Sequence, residues 1–161
     1  MVALVIHEKP VGATVEWYTP TSLFDALGLT FDLDVASQNP PVHWVPARRF
    51  LWHEGECADW SGHVWCNPPY GALAGKFVER MIAHGDGLLL LPARTEVRWF
   101  QRALDESDAV TMLRARLHFV RADGFRARST FGSVLFAFGD RCADALLNAD
   151  LGWSHTKRTN A

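Results

Sequence analysis

GLLLL, residues 87–91, is a run of leucines behind a glycine with no polar residue between them. A strand with one wet face alternates apolar and polar side chains, whereas a continuous apolar run is buried on both faces, between layers of helix. Outward from it, further short apolar runs predict strands at 30–35, 49–52, 63–66, 109–113, 117–121 and 133–138. Between them Leu73, Phe77, Val78, Met81 and Ile82 share one helical face, as do Val97, Phe100 and Leu104. A third helix starts near Thr21 and ends at Gly28, and a fourth runs from Cys142 to Asn148. This alternation predicts an α/β fold with an open, mostly parallel sheet and helices on both faces. In such sheets ligands bind beyond the carboxyl ends of the strands.

Composition sets outer limits. The chain has 161 residues, 48% hydrophobic and 21% charged, which predicts one compact domain over 1–161. No run of 18 apolar residues occurs, and MVALVIHEKP at the start lacks a basic segment and a small-residue cleavage site, so a cytoplasmic location and no membrane span are expected. Cys57, Cys66 and Cys142 have no CxxC spacing, so neither a disulfide framework nor a metal site is expected.

The formal charge of −2 is unevenly spread: 1–60 carry three basic residues against eight acids, and 61–161 carry 13 against 10. Arg114, Arg116, Arg121, Arg126 and Arg128 lie in one segment with Asp123 as its only acid, interleaved with Phe119, Phe125 and Phe131. The mixture suits phosphate contact with base stacking, and equally a solvated charged hairpin.

The predicted strand 63–66 runs into HVWCNPPYG, residues 63–71. Pro68 and Pro69 fix two φ angles and remove two N–H donors, which stiffens the loop and leaves its carbonyls as acceptors. The Asn67 side-chain oxygen and the Pro68 carbonyl can together accept both hydrogens of a planar –NH₂ group, while Tyr70 offers a face for its ring. Two aimed acceptors draw such a nitrogen towards tetrahedral geometry and free its lone pair for attack. The bland alternative is a strand-terminating turn; the setting after a strand and before a helix favours chemistry.

At these residues the chain resembles the amino-methyltransferases that depend on S-adenosylmethionine, and more closely the compact phage-type DNA N6-adenine methyltransferases. The resemblance spans about 16–139 and is carried by EWYTP (16–20), FDLDVAS (31–37), ARRF (47–50), DWSGHVWCNPPYG (59–71), LLLLPARTEVRWFQ (88–101), RARLHF (114–119) and FGSVLFAFG (131–139). It implies a Rossmann-like, compact methyltransferase fold and methyl transfer to adenine N6 in double-stranded DNA inside a bacterial or phage-infected cell, with the base flipped out and no metal. It implies that Asn67, Pro68, Pro69 and Tyr70 hold the target base. Trp17, Tyr18, Thr19 and Pro20 would line the cofactor pocket, with Asp34, Ala36 and Ser37 at the end of the first strand. Asp34 also stands out on its own, since an acid is rarely buried in a strand without a partner.

Arg94 and Thr95, just past a buried strand, would face the same sheet edge and position either a DNA phosphate or the cofactor carboxylate, and an exposed N-cap role suits Thr95 equally. Arg114, Arg116, Arg121, Arg126 and Arg128 would grip the backbone. One departure is that the turn after the first strand reads Asp34-Val35-Ala36-Ser37 with no glycine. Glu54, Glu56 and Asp59 are equal candidates for the acid on the cofactor ribose. The loop alone does not separate adenine from cytosine N4, RNA adenine or a glutamine amide, nor an enzyme from a DNA-binding protein that lost turnover. A monomer and a homodimer are both compatible.

Overall fold

The computed structural model describes residues 17–39, 41, 44–121 and 123–157; Glu16, the first residue of EWYTP, and the N-terminal MVALVIHEKP lie outside them. Along the chain come α1 (Thr21–Leu27), β1 (Phe31–Asp34), β2 (Ala47–Phe50), β3 (Val64–Cys66), α2 (Ala74–His84), β4 (Gly87–Pro92) and α3 (Arg98–Glu106). There follow β5 (Ala109–Leu113), β6 (His118–Val120), β7 (Arg126–Arg128), β8 (Ser133–Phe138), α4 (Asp140–Asn148) and β9 (Gly152–Thr156).

The leucine run behaves as its composition requires. β4 is buried throughout: Leu88 and Leu90 enter a core with Leu23 and Phe24 of α1 and Leu146 of α4, while Leu89 and Leu91 enter a second core with Phe77 and Met81 of α2 and Phe100 of α3. Each leucine so buried contributes roughly 1.5–3 kcal/mol, and the two cores glue one helix layer to each face of the sheet. α1 and α2 both stop where a glycine takes the left-handed conformation, Gly28 at φ 62° and Gly85 at φ 75°, each N–H returning to the last turn.

The main sheet has the order β2-β1-β3-β4-β8-β5-β9. β2, β1, β3 and β4 are mutually parallel, and β8 and β9 run against their neighbours. The fold is therefore α/β and Rossmann-like, with a largely parallel central sheet. From β1 the chain steps outward to β2 and then returns to β3 on the other side of β1. Reversal of direction opens a crevice at the carboxyl ends of β1 and β3, the place where open α/β sheets bind ligands. Asp34 is the last residue of β1, and Asn67 is the first after β3.

The 51–60 loop folds tightly over this crevice. Leu51 N–H donates to Asp34 O at 2.8 Å and Ser37 N–H to Leu51 O at 2.8 Å, and the Trp60 indole holds Gly55 O at 2.8 Å. A Cβ on Gly55 would stand 1.8 Å from Val35 O, so only glycine lets this loop reach the end of β1. The turn after β1 thus has a glycine pressed against it, though from the neighbouring loop.

β6 and β7 form a separate two-stranded sheet, tied to the rest by Tyr18, which exchanges backbone hydrogen bonds with Val120 at 2.8 and 3.0 Å. The basic segment is not one hairpin: Arg114 and Arg116 lie in the connection from β5 to β6, and the hairpin itself begins at His118. Among the described residues no helix is long and apolar enough to cross a membrane.

Candidate active site

Three adjoining recesses surround the crevice. The innermost lies between the Trp17-Tyr18-Thr19 segment and the end of β1, and takes in Asp34, Ala36, Ser37 and Asn67. An outer cavity of about 690 Å³, within the usual size of a ligand pocket, is walled by the Asn67-to-Tyr70 loop on one side and by Phe119, Arg128 and Phe131 on the other. A lateral cleft runs from Ala36 and Ser37 under the 51–56 stretch. Trp17, Gln38 and Asn67 line both the inner recess and the outer cavity, so the two share a wall.

The residues of the Asn67-to-Tyr70 loop are placed by the end of a buried strand. β3 is fully buried, and the two prolines carry the chain out until Pro69 and Tyr70 are exposed, Tyr70 by 50%. The Asn67 amide donates from Nδ2 to Thr19 Oγ1 at 3.2 Å, which leaves Oδ1 to accept from a ligand. Thr19 is itself buried, and its carbonyl accepts from the Trp44 indole at 3.1 Å.

Asp34 is 4% exposed. Its Oδ1 accepts the Ala36 N–H at 3.1 Å, and no described cation pairs with it. Desolvation dominates over that single hydrogen bond and raises its pKa from the ordinary 3.8 to about 7. A carboxyl group in this state is poised to ionise when a positive charge enters the recess.

Of the residues expected around the cofactor, Trp17, Tyr18, Thr19, Asp34, Ala36 and Ser37 meet in the inner recess. Pro20 does not; it precedes α1 and lines a separate groove with Arg114, Arg116 and Arg126. Glu54 and Glu56 line the lateral cleft and Asp59 does not, which separates acids the motif left equal. Thr95 is no N-cap: α3 is preceded by Val97, and Thr95 O accepts from the Gln101 amide at 2.6 Å. Arg94 pairs with Glu96 at 3.0 Å and lies over the Phe131 ring at 5.8 Å, behind the wall of the outer cavity.

The other arginines divide by partner. Arg114 is paired with Asp150 at 3.1 Å and Arg121 with Asp123 at 2.7 Å, whereas Arg116, Arg126 and Arg128 are exposed and have no ion pair among the described residues. Gln38, which touches all three recesses, was not singled out by sequence; its only signal is its place directly after the FDLDVAS stretch.

Elsewhere His63, Asp86 and Cys142 come within 4.8 Å of one another at the opposite end of β3. His63 Nδ1 donates to Asp86 Oδ1 at 2.8 Å, and Cys142 Sγ lies 3.4 Å from Nε2. Burial pushes the Cys142 thiol well up, so the trio reads as a buried histidine with both nitrogens satisfied.

An open α/β sheet whose switch point carries an Asn-Pro-Pro-Tyr loop is the arrangement of a Rossmann-like methyltransferase. The chain belongs to the DNA N-6-adenine-methyltransferase (Dam) family, whose model matches residues 8–141. The activity that this membership implies is methylation of adenine N6 in DNA. Neither the curated proteins nor the solved structures compared with the chain gave a match.

Proposed function

We propose that the protein transfers the methyl group of S-adenosylmethionine to the N6 amino group of an adenine flipped out of double-stranded DNA. The observation that carries this reading is the shared wall: a loop of acceptors and a buried unpaired carboxylate face adjoining recesses joined at Trp17, Gln38 and Asn67. S-adenosylmethionine, when bound, supplies an electrophilic methyl group on a sulfonium that is its own leaving group.

The residues present suit such a ligand. Asp34 offers a buried carboxylate to a positively charged amino acid head, and the Trp17 ring offers a π-face to a cation. Ala36 and Ser37 border the passage to the lateral cleft, where Glu54 or Glu56 would take the ribose hydroxyls and Trp52 would flank the nucleoside. Asn67 Oδ1 and the Pro68 carbonyl accept the two N6 hydrogens, and the exposed Tyr70 ring stacks on the base. Alignment and a preorganised pair of acceptors are the whole contribution of this loop, with no strong base needed.

Adenine N6 is paired and stacked in a duplex, so the base must swing out to reach the loop. Arg128 stands at the mouth of the outer cavity and Arg116 and Arg126 in the neighbouring groove, which suits a backbone held on both sides of the extruded nucleotide. Arg114 and Arg121 begin in surface ion pairs, but such pairs are worth about 0–1 kcal/mol and yield readily to a phosphate.

Two measurements test this. Calorimetry should find S-adenosylmethionine binding to the free protein, and no heat at any concentration would remove the cofactor. Salt titration should find duplex affinity falling linearly on a log–log plot. Arg126→Ala with Arg128→Ala should lower that slope by roughly 1 to 2 units, weaken all sequences alike and leave cofactor affinity unchanged. An unaltered slope would return the segment to a solvated charged surface.

A further inference from the structure

We infer that Thr19 is a positioning residue for Asn67, its hydroxyl holding the amide plane in the orientation that the acceptor role requires. This rests on the function proposed above, in which Asn67 Oδ1 accepts from the target amine. The terminal torsion of an asparagine is broad and soft, so rotamer preference alone does not fix which way the amide faces. A turn of the amide would set its NH₂ against the amine of the base, donor against donor. The 3.2 Å hydrogen bond from Asn67 Nδ2 to Thr19 Oγ1 opposes that rotation.

Thr19 is well mounted for the task. It is 3% exposed. On one side Tyr18 is bonded to Val120 of β6 through both backbone groups, at 2.8 and 3.0 Å, and on the other Pro20, at φ −68°, leads straight into α1. The Thr19 carbonyl is held by the Trp44 indole at 3.1 Å. The backbone that carries the hydroxyl is therefore anchored on both sides and at its own carbonyl. A lining role towards the cofactor and a positioning role towards Asn67 make opposite demands on the kinetics.

The experiment compares Thr19→Val, which keeps the shape and loses the hydroxyl, with Thr19→Ser, which keeps the hydroxyl. The valine variant should lose roughly 10- to 100-fold in kcat, the scale of a misplaced reacting group, with S-adenosylmethionine affinity within about twofold of wild type, and serine should restore most of the rate. A valine variant with wild-type kcat, a serine variant as slow as valine, or a loss of cofactor affinity that matches the loss of rate would each overturn the assignment. Circular dichroism and thermal melts confirm that both variants fold.

A readout independent of turnover is the pair of Asn67 side-chain amide ¹H–¹⁵N signals. They should move towards free-amide positions in the valine variant, and return in the serine one. Unmoved signals in the valine variant refute the contact. If wild type itself transfers no methyl group, the proposed function fails, and these signals still decide whether Thr19 holds the Asn67 side chain.

Discussion

Asn67→Ala lowers the rate of methyl transfer by roughly 10²–10³-fold, the cost of deleting one preorganised polar partner of the reacting group, while S-adenosylmethionine affinity stays close to wild type. The separation follows from geometry. Asn67 stands at the wall common to the inner recess and the outer cavity, and its amide nitrogen donates to Thr19, which leaves its oxygen to accept from the target amine. Single-turnover rates with preloaded cofactor measure the chemical step directly. Turnover near wild type would remove Asn67 from the mechanism, and a parallel loss of cofactor affinity would move its role to the inner recess.

Asp34→Asn makes the free protein more stable at alkaline pH and a poorer binder of a cationic cofactor. The buried carboxyl holds its proton up to about 7, against an ordinary 3.8. Below about pH 4 both folded and unfolded chains keep the proton and Asp34 contributes nothing to the pH dependence. Between about 4 and 7 the unfolded chain ionises and the folded one does not, so stability falls as pH rises, and above about 7 the loss levels off. About three pH units at about 1.36 kcal/mol each amounts to roughly 4 kcal/mol. The asparagine variant, which retains an acceptor for the Ala36 N–H, should exceed wild type by that order at pH 8 and match it at pH 4 in denaturant unfolding.

A cation entering the recess favours the ionised form. Wild-type cofactor affinity should therefore weaken by up to about tenfold per pH unit below 7, and the asparagine variant should bind weakly with no such dependence. Equal stability of the two proteins at pH 8 would show that Asp34 is not the strained group its burial describes.

The layered fold was legible because β4 is hydrophobic on both faces, a pattern with one structural solution, and because Gly28 ends α1 where the helical period stops. β9 was missed for an instructive reason. It alternates, but inside out: Trp153 and His155 face solvent, and Ser154 turns inward to share a 2.7 Å hydrogen bond with Thr111. An edge strand held by hydroxyls carries no hydrophobic signature. β7, Arg126-Ala127-Arg128, has no apolar pair at all and is a strand only because Gly124, at φ 85°, turns the chain back onto β6.

At the site, the stiff loop that carries Asn67 to Tyr70 out of β3 was readable because proline restricts conformation locally, and Asp34 stood out because a lone acid in a buried strand is costly. The link from Asn67 to Thr19 joins positions 48 apart in sequence and depends on how two segments meet. The lateral cleft likewise depends on Gly55 pressing against Val35, a contact that no local pattern encodes.

The central claim is that this chain methylates adenine N6 in DNA, and the direct test is mass spectrometry of nucleosides from duplex DNA incubated with the protein and isotopically labelled S-adenosylmethionine. The account predicts labelled N6-methyladenine from wild type and its near absence with Asn67→Ala. Label in N4-methylcytosine, label only in RNA or protein, or unmodified DNA beside a protein that binds the cofactor would contradict it.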